Sequence, residues 1–205
     1  MRSTALAFVA AFALSSTALV QPASATTLSG LMNVDNYFTA YLSTNDLLLG
    51  SPIGSGTSWP TTYPVNGTLS AGTNYLHIVA TDSGQPAMFI GEFHLSDAGF
   101  KFSNGTQDLL TNATDWVVSK TAFGTLYATP TDEGPWGCCA WGTIPAVNPS
   151  AHYIWADVPG NTVFFSTTIT SNAVVGGVPE PGTLMLLGGG LLSLAGLRRR
   201  RSRAK

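Results

Sequence analysis

Apolar and polar residues alternate in short runs through the middle of this chain, and that alternation predicts strands. In residues 36–43 (NYFTAYLS), Phe38, Ala40 and Leu42 fall on one face and Tyr37, Thr39 and Tyr41 on the other, as in a half-buried strand. The same period groups Leu76, Ile78 and Ala80 in residues 74–81, and Phe89, Gly91, Phe93 and Leu95 in residues 87–96. Residues 100–102 and Leu109 with Leu110 flank Asn104 and Gly105, a turn pair that predicts a hairpin. Further strands are predicted over residues 115–120, 152–158 and 162–170, the last two separated by Pro159, Gly160 and Asn161. Residues 49–64 carry Gly50, Pro52, Gly54, Gly56, Pro60 and Pro64 around Trp59 and Tyr63, a composition for turns that hold aromatic rings on a surface. Nothing in this middle part sustains a helical period or repeats at a fixed length. The expected fold class is all-β, a single sandwich over residues 26–177.

The two ends follow different rules. Met1 and Arg2 precede a nearly unbroken apolar run from Ala5 to Val20, and Ala23, Ser24 and Ala25 supply small residues; residues 1–25 are expected to be a secretory signal peptide cleaved after Ala25. At the other end, Val178, Pro179, Glu180 and Pro181 lead into an uncharged run from Thr183 to Leu197, followed by Arg198, Arg199, Arg200, Arg201, Arg203 and Lys205. As a helix that run spans roughly 22 Å at 1.5 Å per residue, less than a hydrocarbon core, so a short hydrophobic helix and a brief hold on the inner membrane are expected. The basic cluster belongs in the cytoplasm, which puts everything before Val178 across the membrane. Pro179 and Pro181 keep the backbone around Glu180 extended and open to a processing enzyme.

Order, spacing and position of these pieces resemble the PEP-CTERM sorting signal over residues 178–205. The resemblance implies recognition by a membrane-embedded exosortase after export by the secretion machinery, with removal of the span and delivery to the cell surface or the medium. An ordinary tail anchor is the alternative.

Charge changes the picture once the ends are set aside. Residues 26–177 hold two lysines, Lys101 and Lys120, against ten acids, a net −8 behind the −2 of the whole chain. Such a surface does not neutralise phosphates, so nucleic acid is excluded as a partner. An acidic polysaccharide is repelled too, unless a cation such as Ca²⁺ bridges the two.

The succession DNYFTAYLS, SGTSWP, LSAGTNYLHIVATDSG, AMFIGEF, DWVVSK and AHYIWADVPGNTVFF resembles the galactose-binding-like jelly roll of carbohydrate-binding modules. That resemblance implies a sandwich with any ligand in the loops at one end; no ligand residue carries over, because those loops match no fixed motif.

Candidate chemistry is sparse. Cys138 and Cys139 are the only cysteines and are adjacent: either they bond to each other, or one bridges another molecule, or both stay reduced. Trp59, Trp136 and Trp141 are the candidate exposed loop rings for stacking on sugar faces, while Trp116 and Trp155 sit in strand-like segments and belong in the core. His77, His94 and His152 are far apart, and no spacing resembles a zinc site. Asp35, Asp82, Asp132 and Glu133 lie in or near turns, where capping is the ordinary role and a structural Ca²⁺ the alternative; no other cofactor is expected. No two carboxylates are singled out for glycoside hydrolysis, and no nucleophile elbow supports a Ser, His and Asp set. Asn66, Asn104 and Asn112 match a glycosylation pattern and are expected to be turn residues. The expectation is a non-enzymatic surface or matrix protein associating with extracellular polysaccharide. A self-associating structural protein without a sugar site is the alternative, and a glycan-active hydrolase a third.

Overall fold

The computed structural model describes residues 25–84, 86–157 and 162–171; the segments expected to be a signal peptide and a short C-terminal hydrophobic helix, and the sorting signal, lie outside them. Strands follow in the order β1 (Thr27–Asp35), β2 (Tyr37–Ser43), β3 (Ser51–Gly56), β4 (Tyr63–Thr68), β5 (Thr73–Thr81) and β6 (Met88–Leu95). The second half adds β7 (Phe100–Phe102), β8 (Asp108–Leu110), β9 (Val117–Ser119), β10 (Thr131–Pro135), β11 (His152–Trp155) and β12 (Thr162–Ser171). Among the described residues there is no helix, and none long and apolar enough to cross a membrane.

Two antiparallel sheets face each other. The first runs β10-β11-β6-β1-β4 with β8 also on β6, and the second β3-β2-β5-β12-β7 with β9 also on β12. Alternation decides what lies between them: Phe38, Ala40, Leu42, Leu76, Ile78, Ala80, Phe89, Phe93 and Leu95 are all buried in the main core. Phe89 is its aromatic centre, with ring centroids 5.0 Å from Trp116 and 5.1 Å from Phe165. Trp155 joins through Phe165 at 5.7 Å, so both strand-side tryptophans are core residues.

Two local expectations are corrected. The turn at Asn104 and Gly105 does not close a hairpin, because β7 pairs with β12 and β8 pairs with β6. Asn104 Oδ1 accepts from the Thr106 amide at 2.9 Å, and the turn carries the chain from one sheet to the other. Likewise β11 and β12, neighbours in sequence, belong to opposite sheets. Residues 49–64 are not all loop, since β3 and the start of β4 fall there. β3 reads SPIGSG and takes its place from ladder bonds to β2 rather than from an apolar stripe of its own.

β1, absent from the expected strands, lies inside the first sheet between β6 and β4. Its stripe is Leu28, Met32 and Val34, interrupted by Gly30, whose Cβ position would lie 2.5 Å from Phe93 Cδ1. The neighbouring ring takes the volume that a side chain would need.

Both ends of the described domain meet at one pole of the sandwich. The Leu69 amide donates to Thr26 O at 2.8 Å and the Thr26 hydroxyl to Asp97, while the Ser171 amide donates to Gly72 O and Phe100 pairs with Ser171. Asp35 ends β1 at the opposite pole, about 27 Å away at 3.3 Å per residue.

Candidate functional site

On β6 the outward residues are Met88, Ile90, Glu92 and His94, and they divide the outer face of the first sheet in two. Met88 and Ile90 are fully buried beneath a lobe formed by the chain between β10 and β11. Trp141, Ile144, Val147, Ala151 and Tyr153 complete this second core, with Trp59, Leu110, Trp136 and Cys138 packed around it. Glu92 and His94 remain uncovered, in an open groove of about 670 Å³.

Pairing between strands assembles that groove. β1 contributes Ser29 and Leu31, β4 Pro64 and Asn66, β8 Asp108 and Leu110, and the lobe Asn148. Register sets Ser29 beside both His94 and Asn66, and Leu31 beside Glu92 and Pro64. Glu92 Oε2 accepts from the Asn148 amide at 3.0 Å, fastening the lobe to the groove wall. His94 Nδ1 lies 2.7 Å from Asp108 Oδ1, and both side chains are largely exposed. Leu31, Leu110 and Pro64 give the groove apolar surface, and Asn66, Glu92, His94 and Asp108 offer donors and acceptors beside it. Sequence pattern placed Glu92 and His94 on the polar side of β6; their meeting with Asn66, Asp108 and Leu31 depends on long-range pairing.

The three tryptophans expected as exposed loop rings are placed differently. Trp141 is only 7% exposed, its Nε1 donates to Asp35 Oδ2 at 3.0 Å and its ring lies 5.1 Å from Tyr153. It is a core residue of the lobe, because an indole with a buried acceptor and an aromatic neighbour satisfies both its polar and its apolar parts there. Trp59 and Trp136 are half-buried, and Trp136 Nε1 donates to Ile144 O at 3.0 Å.

Cys138 and Cys139 are bonded to each other, and no free cysteine remains among the described residues. Their sulfurs cover Gly134 of β10, where a Cβ would lie 2.5 Å from Cys138 Sγ and φ is +121°. Gly134→Ala is therefore expected to displace the disulfide loop and lower stability by about 1–3 kcal/mol, read as a lower urea midpoint under non-reducing conditions.

Three of the four acids named for a cation, Asp35, Asp82 and Asp132, have other partners. Asp82 Oδ1 accepts from the Gly84 amide at 3.0 Å, Asp132 Oδ1 from the Gly134 amide at 2.9 Å, and Asp132 also pairs with His152. Burial pushes the Asp35 carboxyl above its ordinary range, with the Trp141 bond opposing and the Asp82 charge adding to the rise. Burial does the same for Glu133, assisted by the charge of Asp132. Among the described residues no three His, Cys, Asp or Glu side chains form a metal-holding group. Asn104 and Asn112 accept from amides two residues on, as turn residues do, whereas Asn66 lies in β4.

Ser166, His77 and Asp46 do meet, on the outer face of the second sheet. Asp46 Oδ1 lies 3.2 Å from His77 Nε2 and accepts from Tyr127 OH at 2.8 Å and Ser166 Oγ at 3.4 Å. His77 is 0% and Ser166 2% exposed, and the His77 ring stacks on Phe123 at 3.9 Å. All three groups converge on one carboxylate oxygen beneath Phe123, with no room for a substrate at the serine. This is a clamp that holds the 44–50 and 120–127 loops to the sheet.

Fold and geometry define an all-β antiparallel sandwich with a lobe and an open groove on one outer face. Residues 177–201 match the PEP-CTERM protein-sorting motif, which marks an exported protein that an exosortase processes after a transient hold at the membrane. No curated protein and no solved structure matches the chain.

Proposed function

We propose that this is a non-catalytic surface or matrix protein whose sandwich, of the galactose-binding-like jelly-roll kind, associates with extracellular polysaccharide through the groove on its first sheet. The observation that carries this reading is the groove itself, in which apolar Leu31, Leu110 and Pro64 lie among the polar side chains of Asn66, Glu92, His94 and Asp108. Sugar rings present apolar faces and hydroxyl edges, and a lining that mixes apolar surface with a few polar groups suits both. The half-buried rings of Trp59 and Trp136 border the lobe that forms one wall.

Charge narrows the ligand. Glu92 and Asp108 line the groove and no Lys or Arg is among its lining residues, so a neutral chain is favoured over a uronic-acid polymer. The same acidity supports a role outside nucleic-acid binding. The exported location follows from the sorting motif, and delivery to the matrix extends it.

The test is retention, on insoluble or immobilised polysaccharides, of the protein recovered from the surface of the cells that make it. Neutral polymers are expected to retain it. Asp108→Ala, at an exposed position, is expected to weaken retention about tenfold, the equivalent of one hydrogen bond. Failure to bind any polysaccharide, including the producing cells' own with Ca²⁺ present, would remove this reading.

A further inference from the structure

We propose that Leu47, Leu48 and Leu49 form a lipid contact, resting in the bilayer surface while the sorting tail still tethers the sandwich to the membrane. These three consecutive leucines are 65%, 59% and 48% exposed. Scattered exposed leucines are ordinary, but an unbroken run of three on one loop is a concentrated apolar surface.

The loop is built to present them. The Leu47 amide donates to Asn45 Oδ1 at 2.9 Å and the Leu48 amide to Asn45 O at 3.1 Å, and the Ser43 hydroxyl also donates to Asn45 O. These amides therefore need no water when the leucines leave it, which matters at a membrane surface. Asp46, between Asn45 and Leu47, ties the loop to His77, Tyr127 and Ser166. The side chains point outward from an anchored turn.

Their place on the fold names the occupant. Leu48 lines a hollow of about 630 Å³ together with Ser70 and Asn74, and Gly72, between those two, exchanges hydrogen bonds with Ser171. Leu48 thus lies toward the pole where β12 ends, with Leu47 beside it at Gly124 of the 120–127 loop. Eleven residues separate Ser171 from Thr183, the start of the apolar run, a reach of about 40 Å at full extension. A sandwich on so short a tether meets the bilayer at a high effective concentration. A second copy is the less favoured occupant, because each domain carries a net −8 that repels its like. The same charge makes the contact apolar rather than electrostatic, and hence insensitive to salt.

The inference needs the tail to be in the membrane, and the experiment separates the two. The full chain is reconstituted into phosphatidylcholine vesicles containing lipids brominated at shallow acyl positions, with Leu48→Trp as the probe. Ala140→Trp, exposed on the lobe at the opposite pole, is the control. The emission that Leu48→Trp adds to that of the five native tryptophans is expected to lie to the blue and to lose about half its intensity to the brominated lipid, in low and high salt alike, while the emission that Ala140→Trp adds is unaffected. A chain that floats with the vesicles but shows equal quenching at both positions overturns the lipid contact alone. A chain that does not float overturns the tail's membrane role as well. Unquenched leucines together with a dimer that Leu47→Ser, Leu48→Ser and Leu49→Ser abolish would reassign the loop to self-association.

Discussion

Trp141→Ala is expected to cost about 3–5 kcal/mol, the range for emptying a well-packed aromatic site, and to do so through the lobe rather than the main core. The ring is shared with Tyr153 and sits over Met88 and Ile90, so its removal opens the cover of half a sheet face. A second loss comes from Asp35. Its Oδ1 is buried without a hydrogen-bond partner among the described residues, and Oδ2 takes the Trp141 indole. Truncation leaves a buried carboxyl whose protonation is already favoured by desolvation. Trp141→Phe separates the two contributions: it keeps most of the ring, removes the donor, and is expected to cost about 1–3 kcal/mol. The Asp35 carboxyl should also titrate at higher pH in Trp141→Phe, since the bond that opposes the rise is gone. Urea unfolding gives both losses. Hydrogen exchange in the lobe should rise in Trp141→Ala, while β5 and β12 stay protected; uniform exposure of all strands would show that lobe and sandwich unfold as one unit.

Asp46→Ala is expected to cost about 3 kcal/mol, because it strips a common acceptor from donors that are buried with it. His77 and Ser166 are closed off from solvent, so water cannot replace the carboxylate without opening the 44–50 loop. The pH dependence of stability checks the same cluster. Burial holds His77 below its ordinary value of 6.5, with the hydrogen bond and charge of Asp46 opposing. As pH falls through 6.5 the unfolded chain takes up a proton that the folded one refuses. Stability therefore declines from 6.5 downward and levels off below the folded value. His77→Gln should flatten that limb. A profile unchanged by His77→Gln would show that the imidazole is not the titrating group. If Asp46→Ala leaves the unfolding midpoint in place, the three bonds are not what fastens the loops.

The strands that alternation identifies, β2, β5 and β6, are those whose one face is the main core; each residue's side is then set by a period of two. The adjacent pair of cysteines, the acidic middle and the ends of opposite character are likewise properties of the chain in one dimension. Trp141 shows where such reading stops. A tryptophan in a Gly- and Pro-rich loop looks exposed, and only the arrival of Asp35 and Tyr153, from β1 and β11, makes a buried site for it. Met88 and Ile90 did carry a local signal, since with Phe89 they make β6 apolar on both faces at its start, and a strand buried on both sides needs a cover.

The all-β class, the core stripes, the sorting motif and the acidic character of the middle are thus legible along the chain, since period, order of segments and net charge depend on neighbours in sequence. Tertiary structure alone decided which strands share a sheet, that the Asn104 and Gly105 turn crosses between sheets, and that Leu31, Asn66, Glu92, His94 and Asp108 line one groove. Those relations join residues as far apart as Ser29 and His94. No local preference encodes them; they follow from the one pairing in which every apolar stripe, and the lobe over β6, is buried at once.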